Sequence, residues 1–101
     1  MELALADANT GRTVTVGDEI VVNLPENPTT GFLWRPDLDT DALQMISDDY
    51  EIDQGQRGAP GMHRFLFRVL REGPTALRLV RGREWEKYIT DEFCVSLTVR
   101  I

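Results

Sequence analysis

Phe93-Cys94-Val95-Ser96-Leu97-Thr98-Val99-Arg100-Ile101 alternates apolar and polar side chains without a break. A pleated strand sends successive side chains to opposite faces. Phe93, Val95, Leu97, Val99 and Ile101 therefore share one face, and Cys94, Ser96, Thr98 and Arg100 the other. The stretch reads as a strand with one side on a core and one side in water. The same period runs through Ile20, Val22 and Leu24, through Phe65, Phe67 and Val69, and through Leu77 and Leu79. Leu3-Ala4-Leu5, Thr13 to Val16, Phe32-Leu33-Trp34 and Tyr50-Glu51-Ile52 are shorter candidates. Turn chemistry separates these runs at Asn9-Thr10-Gly11, Gly17-Asp18, Pro25 to Gly31, Gly55 to Gly61 and Glu72-Gly73-Pro74. Short strands at this spacing predict an all-β antiparallel sandwich or barrel of roughly seven to eight strands. Helix is hard to place; Asp39 to Ser47 offers one short turn, with Asp39 or Thr40 as its N-cap. No repeat, low-complexity tract or linker interrupts the chain, so residues 1–101 are expected to form a single domain.

Composition narrows the function. Eleven Lys and Arg against 17 Asp and Glu leave a formal net charge of −6. Such a chain repels phosphate backbones and anionic lipid, so neither nucleic acid nor a membrane surface is an expected partner. No apolar run approaches the length of a membrane-spanning helix. The start, Met1 to Asp7, is acidic and its apolar stretch is too short for a signal peptide. A cytoplasmic protein or the mature form of an exported one is expected. The single cysteine, Cys94, excludes an internal disulfide.

The usual catalytic chemistries find little support. Cys94 falls mid-strand on the wetter face, and the one histidine, His63, reads as a strand-start side chain near a loop. A reactive thiol needs an electropositive, open setting beside a base. Metal binding lacks ligand number and spacing, so no metal or cofactor is expected. Asp37, Asp39, Asp41 and Asp48 imitate part of a calcium loop, but Ala42 stands where that loop needs glycine. Asp48, Asp49, Glu51 and Asp53 read as the wet side of an edge strand, where charge discourages aggregation. The protein is not expected to be an enzyme.

A β-sandwich carries its chemistry on the loops at its ends. Three connections exceed what a simple turn needs: Pro25 to Gly31, Gly55 to Gly61, and Arg81 to Tyr88. In the first, Asn27 suits an Asx-turn and Pro28 fixes φ, which pre-sets the tip before any partner arrives. Thr29 and Thr30 are small, stiff at χ1 and carry hydroxyls that suit a narrow cleft. Gly31 permits positive φ, and Phe32 is expected to turn inward as an anchor. In the second, Gly58 and Gly61 bracket Ala59 and Pro60 at a hairpin tip. In the third, Trp85 stands among Arg83, Glu84, Glu86 and Lys87, the setting of an exposed binding anchor. Trp34, following Phe32 on a strand, is expected in the core or on the sheet surface.

Asn27-Pro28-Thr29-Thr30-Gly31-Phe32 resembles the signature of the chagasin-type inhibitors of papain-like cysteine proteases. Two further segments follow in that family's order. Gly58-Ala59-Pro60-Gly61 ahead of Phe65-Leu66-Phe67 is similar to its glycine-rich loop and next strand. Arg83-Glu84-Trp85 is similar to its Arg-Pro-Trp loop, with Glu84 in place of the proline. The resemblance covers essentially the whole chain. It implies an immunoglobulin-like sandwich whose three loops at one end plug a papain-like active-site cleft. Asn27, Pro28, Thr29, Thr30 and Gly31 would then fill the middle of the cleft. Gly58, Ala59, Pro60 and Gly61 would clamp one side, and Arg83, Glu84 and Trp85 the other. Inhibition would be reversible and non-covalent, by a monomer that needs no cofactor. The competing reading is an immunoglobulin-like adhesion or carbohydrate-binding module, with Trp85 stacking on sugar.

Overall fold

Along the last strand, Phe93, Val95, Leu97 and Val99 are buried and the residues between them are not. Ile101 breaks the row; it lies beyond the strand and is exposed. A computed structural model describes residues 1–27, 31–51, 61–83 and 88–101. Eight strands lie among them: β1 Glu2–Ala4, β2 Gly11–Thr15, β3 Glu19–Glu26, β4 Phe32–Pro36, β5 Leu43–Glu51, β6 Gly61–Val69, β7 Gly73–Arg83 and β8 Asp91–Arg100. One 3-10 turn, Leu5–Asp7, follows β1. The strands form two four-stranded sheets, β1-β3-β6-β5 and β2-β8-β7-β4.

The expected sandwich is present, with one refinement. β3–β6, β5–β6, β7–β8 and β4–β7 are antiparallel, whereas β1 joins β3 and β2 joins β8 in parallel. The 3-10 turn is why β1 and β2 separate. Leu5, expected in a strand, enters that turn, and the chain crosses from the edge of one sheet to the edge of the other. Asp7 secures the crossing: its carboxylate accepts the Ala4 N–H at 2.8 Å and pairs with Arg12 at 2.9 Å.

Apolar rows from both sheets meet between them. Leu3, Ile20, Val22, Leu24, Leu43, Phe65, Phe67 and Val69 come from one, and Val14, Trp34, Leu77, Leu79, Phe93, Val95, Leu97 and Val99 from the other. Trp34 belongs to this core, as its place on a strand suggested. Phe32 does not; it is half-buried at the rim.

The stretch read as a helical turn resolves differently. The Asp39 carboxylate accepts the Asp41 N–H at 2.9 Å, and its carbonyl accepts the N–H groups of Ala42 and Leu43 at 3.0 Å. Asp39 thus caps one turn, which opens directly into β5. Asp37 and Asp39, two members of the calcium-like spacing, are ion-paired with Arg78 and Arg71.

Burial on the two faces of β8 gives a direct contrast. Phe93→Ala should lower unfolding free energy by about 3–5 kcal/mol, and Ser96→Ala should change it by no more than about 0.5 kcal/mol. Urea denaturation followed by circular dichroism measures both.

Candidate functional site

Three connections leave the sandwich at one end. β3 and β4 are joined through residues 27–31, β5 and β6 through 52–60, and β7 and β8 through 84–90. The registers place them together. Glu26 pairs with Gly61, Glu51 with Met62, Phe32 with Arg83, and Arg81 with Asp91. All eight residues lie at the same end of their sheets.

The described residues locate four of the sequence-predicted positions. Asn27 is exposed just past the end of β3. Gly31 has φ of +78°, a conformation that glycine adopts without strain, and it feeds β4. Gly61 opens β6 and is buried; a Cβ there would run into the Tyr50 ring and hydroxyl and into the Glu51 carbonyl oxygen. Arg83 ends β7 with its guanidinium 4.2 Å from the centre of the Phe32 ring, in cation–π contact. Pro28, Thr29, Thr30, Gly58, Ala59, Pro60, Glu84 and Trp85 lie outside the described residues. Between the first and third connections is a cleft of about 280 Å³ bordered by Asn27, Phe32, Arg81, Thr90 and Asp91.

The third connection returns close against β7. Thr90 donates its N–H to the Arg81 carbonyl at 2.8 Å and its hydroxyl to the same oxygen at 3.1 Å. Gly82 admits this approach, since a Cβ there would stand 2.8 Å from the Tyr88 carbonyl oxygen. Arg81 lies over the Trp34 ring at 5.3 Å and pairs with Asp91.

Beneath the loops the core turns polar. Glu26, only 4% exposed, follows Ile20, Val22 and Leu24 in the inward row of β3. One carboxylate oxygen accepts the Trp34 backbone N–H at 2.6 Å, and the other meets His63 Nδ1 at 2.8 Å. His63 Nε2 is 2.8 Å from the Asp48 carboxylate, and its ring stacks on Phe65 with centroids 3.9 Å apart. The Tyr50 hydroxyl donates to the Glu26 carbonyl at 2.8 Å, and the Trp34 indole N–H donates to the Pro25 carbonyl at 2.9 Å. A buried carboxylate is costly unless its lone pairs are met, and here both oxygens are engaged.

Sequence reasoning missed this layer. Pro25 and Glu26 read as loop, His63 as an incidental strand start, and Asp48 as a solvated edge charge. The signal was nonetheless present. Extending Ile20-Val22-Leu24 by one step reaches Glu26, and extending Val69-Phe67-Phe65 backwards by one step reaches His63. A charge and an imidazole at consecutive inward positions imply a partnership. No three His, Cys, Asp or Glu among the described residues form a group able to hold a metal ion.

The sequence profile described as Chagasin family peptidase inhibitor I42 matches residues 13–99. The chain belongs to that family. Chagasin from Trypanosoma cruzi is 32% identical over 79 residues, covering 72% of this chain and 72% of that protein. Amoebiasin-2 from Entamoeba histolytica is 29% identical over 77 residues, covering 73% of this chain and 63% of the relative's length. The crystal structure of EhICP2, a cysteine protease inhibitor from Entamoeba histolytica, superposes with a TM-score of 0.86. It shares 23% identity and covers 98% of this chain and 93% of its own. Chagasin-family membership makes this chain one of a family of peptidase inhibitors, not of enzymes. The immunoglobulin-like sandwich expected from the motifs is the fold of this chagasin-type neighbour.

The fit between Gly61 and Tyr50 is tight enough to test. Gly61→Ala should destabilise the protein by about 1–3 kcal/mol through overpacking against the Tyr50 ring and the Glu51 carbonyl. Thermal unfolding checks the loss, and Tyr50→Ala in the same chain should recover part of it.

Proposed function

We propose that the protein is a reversible, non-covalent inhibitor of papain-like cysteine proteases. The connections at residues 27–31, 52–60 and 84–90 block the active-site cleft. One observation carries the reading: the three segments that resemble the chagasin-type motifs are attached to one end of the sandwich. A single surface there can present all of them to one partner.

The chemistry suits a plug. Asn27-Pro28-Thr29-Thr30-Gly31 enters the middle of the cleft beside the catalytic thiol. Its small side chains fit a narrow groove, and its hydroxyls find hydrogen-bond partners there. Gly58 to Gly61 and Arg83 to Trp85 hold the flanks, with Trp85 as an aromatic anchor. Affinity from a rigid scaffold depends on how little order must be created on binding, and the bracing beneath the first connection supplies that order beforehand.

Titrating papain with the purified protein tests the proposal. Inhibition that is recovered on dilution is the expected result; undiminished papain activity at micromolar inhibitor overturns it. Cys94→Ser should inhibit as wild type does, because no thiol takes part. Thr30→Arg puts a long cation into the cleft and should weaken inhibition by about tenfold or more, with the melting temperature unchanged. Trp85→Ala should cost about 2 kcal/mol of binding, roughly 30-fold in the inhibition constant.

A further inference from the structure

The connection at residues 27–31 joins strands of different sheets, since β3 lies in one and β4 in the other. Neighbouring strands of one sheet hold their ends together by a backbone ladder. β3 and β4 have no such ladder, so side chains must fix the distance between the two limbs of this connection. Among the described residues, two hydrogen bonds help to do so. The Glu26 carboxylate accepts the Trp34 backbone N–H, and the Trp34 indole N–H donates to the Pro25 carbonyl.

We propose that Glu26 and His63 are positioning residues for inhibition. Glu26 sets the separation of the two limbs that present Asn27 and Gly31, and His63 fixes the Glu26 carboxylate. The inference rests on the protease-inhibitor reading above and extends it to residues outside the three motifs.

The geometry explains why a histidine is needed. Its ring links a buried carboxylate of β3 to a half-exposed one of β5, spanning three strands. Both nitrogens face carboxylate oxygens at 2.8 Å. A neutral imidazole has one N–H and satisfies one of them; a doubly protonated ring satisfies both. The groups facing this ring are Glu26 from β3, Asp48 from β5 and Phe65 from its own strand. Tyr50 of β5 holds the Glu26 carbonyl, and on the other sheet Arg81 pairs with Asp91 over Trp34. A glutamine at position 26 would keep an acceptor for the Trp34 N–H. Its amide would give His63 Nδ1 a donor instead of a carboxylate, leaving a neutral ring to donate to Asp48.

The experiment compares wild type, Glu26→Ala, Glu26→Gln and His63→Ala as inhibitors of papain, with melting temperatures measured alongside. Folded Glu26→Ala should inhibit about tenfold or more weakly, chiefly through faster dissociation, while Glu26→Gln recovers to within about threefold of wild type. Folded His63→Ala, which leaves the Glu26 carboxylate its Trp34 partner and removes the imidazole behind it, should weaken inhibition by about threefold or more. A purely structural role would lower melting temperatures and leave these inhibition constants of the folded protein alone. Folded Glu26→Ala with a wild-type inhibition constant overturns the proposal. If Glu26→Ala does not fold, His63→Ala decides, and folded His63→Ala with a wild-type inhibition constant overturns it. A wild-type protein that fails to inhibit papain overturns the inhibitor reading and this inference together. Inhibition by wild type that is indifferent to residue 26 overturns this inference alone.

Discussion

Two sheets packed face to face have to stop somewhere, and at that edge strands that cross from one sheet to the other lose their backbone partners. The Glu26 carboxylate resolves this at the loop end. It reaches across the gap to the Trp34 N–H while His63 and Asp48 steady it from behind. The apolar core below it, from Leu24 and Phe65 to Leu79 and Phe93, is closed by polar groups that satisfy one another. An apolar residue in place of Glu26 would leave the Trp34 N–H buried without its partner, a cost of the same order as a lost hydrogen bond.

The opposing sheet closes its edge by other means. Arg81 lies over Trp34 and Arg83 over Phe32, so two cations cover two aromatic rings, one at the margin of the core and one at the rim. Long guanidinium side chains can cover apolar surface with their stems; Arg81 does so with its Nε buried and a terminal nitrogen paired to Asp91. The two edges thus present different chemistry to anything docking between the connections. One is a buried carboxylate relay, and the other is a pair of arginines seated on rings.

Much of this was legible in the sequence where one face was buried and the other wet. β8, β6 and the interior of β3 show their burial in plain alternation, because each has a core on one side only. β5 was not legible. Only Leu43 on it is buried, Tyr50 is half-buried, and the register slips between Met45 and Ser47. An edge strand with a bulge carries no period-2 signature, so Asp39 to Ser47 looked like a helical turn. The parallel placing of β1 and β2 was hidden for another reason: it depends on a three-residue 3-10 turn, too short to leave a pattern. At the site, the motif residues stood out by their turn chemistry. Glu26, His63 and Asp48 did not, because each is unremarkable alone and acquires meaning only from distance across strands.

The pairing of β2 with β8 has a consequence for how the molecule comes into being. Residues 11–15 lie beside residues 96–100, nearly the full span of the chain apart. Contacts so distant in sequence make folding slow, because the intervening chain must be ordered before they can form. β8 also sits between β2 and β7, so one of the two sheets has no centre until residues 91–100 are in place. During synthesis, then, the first connection exists long before the scaffold that would hold its limbs apart. A nascent chain carries the motif first, and the complete two-sheet scaffold around it follows only when β8 docks.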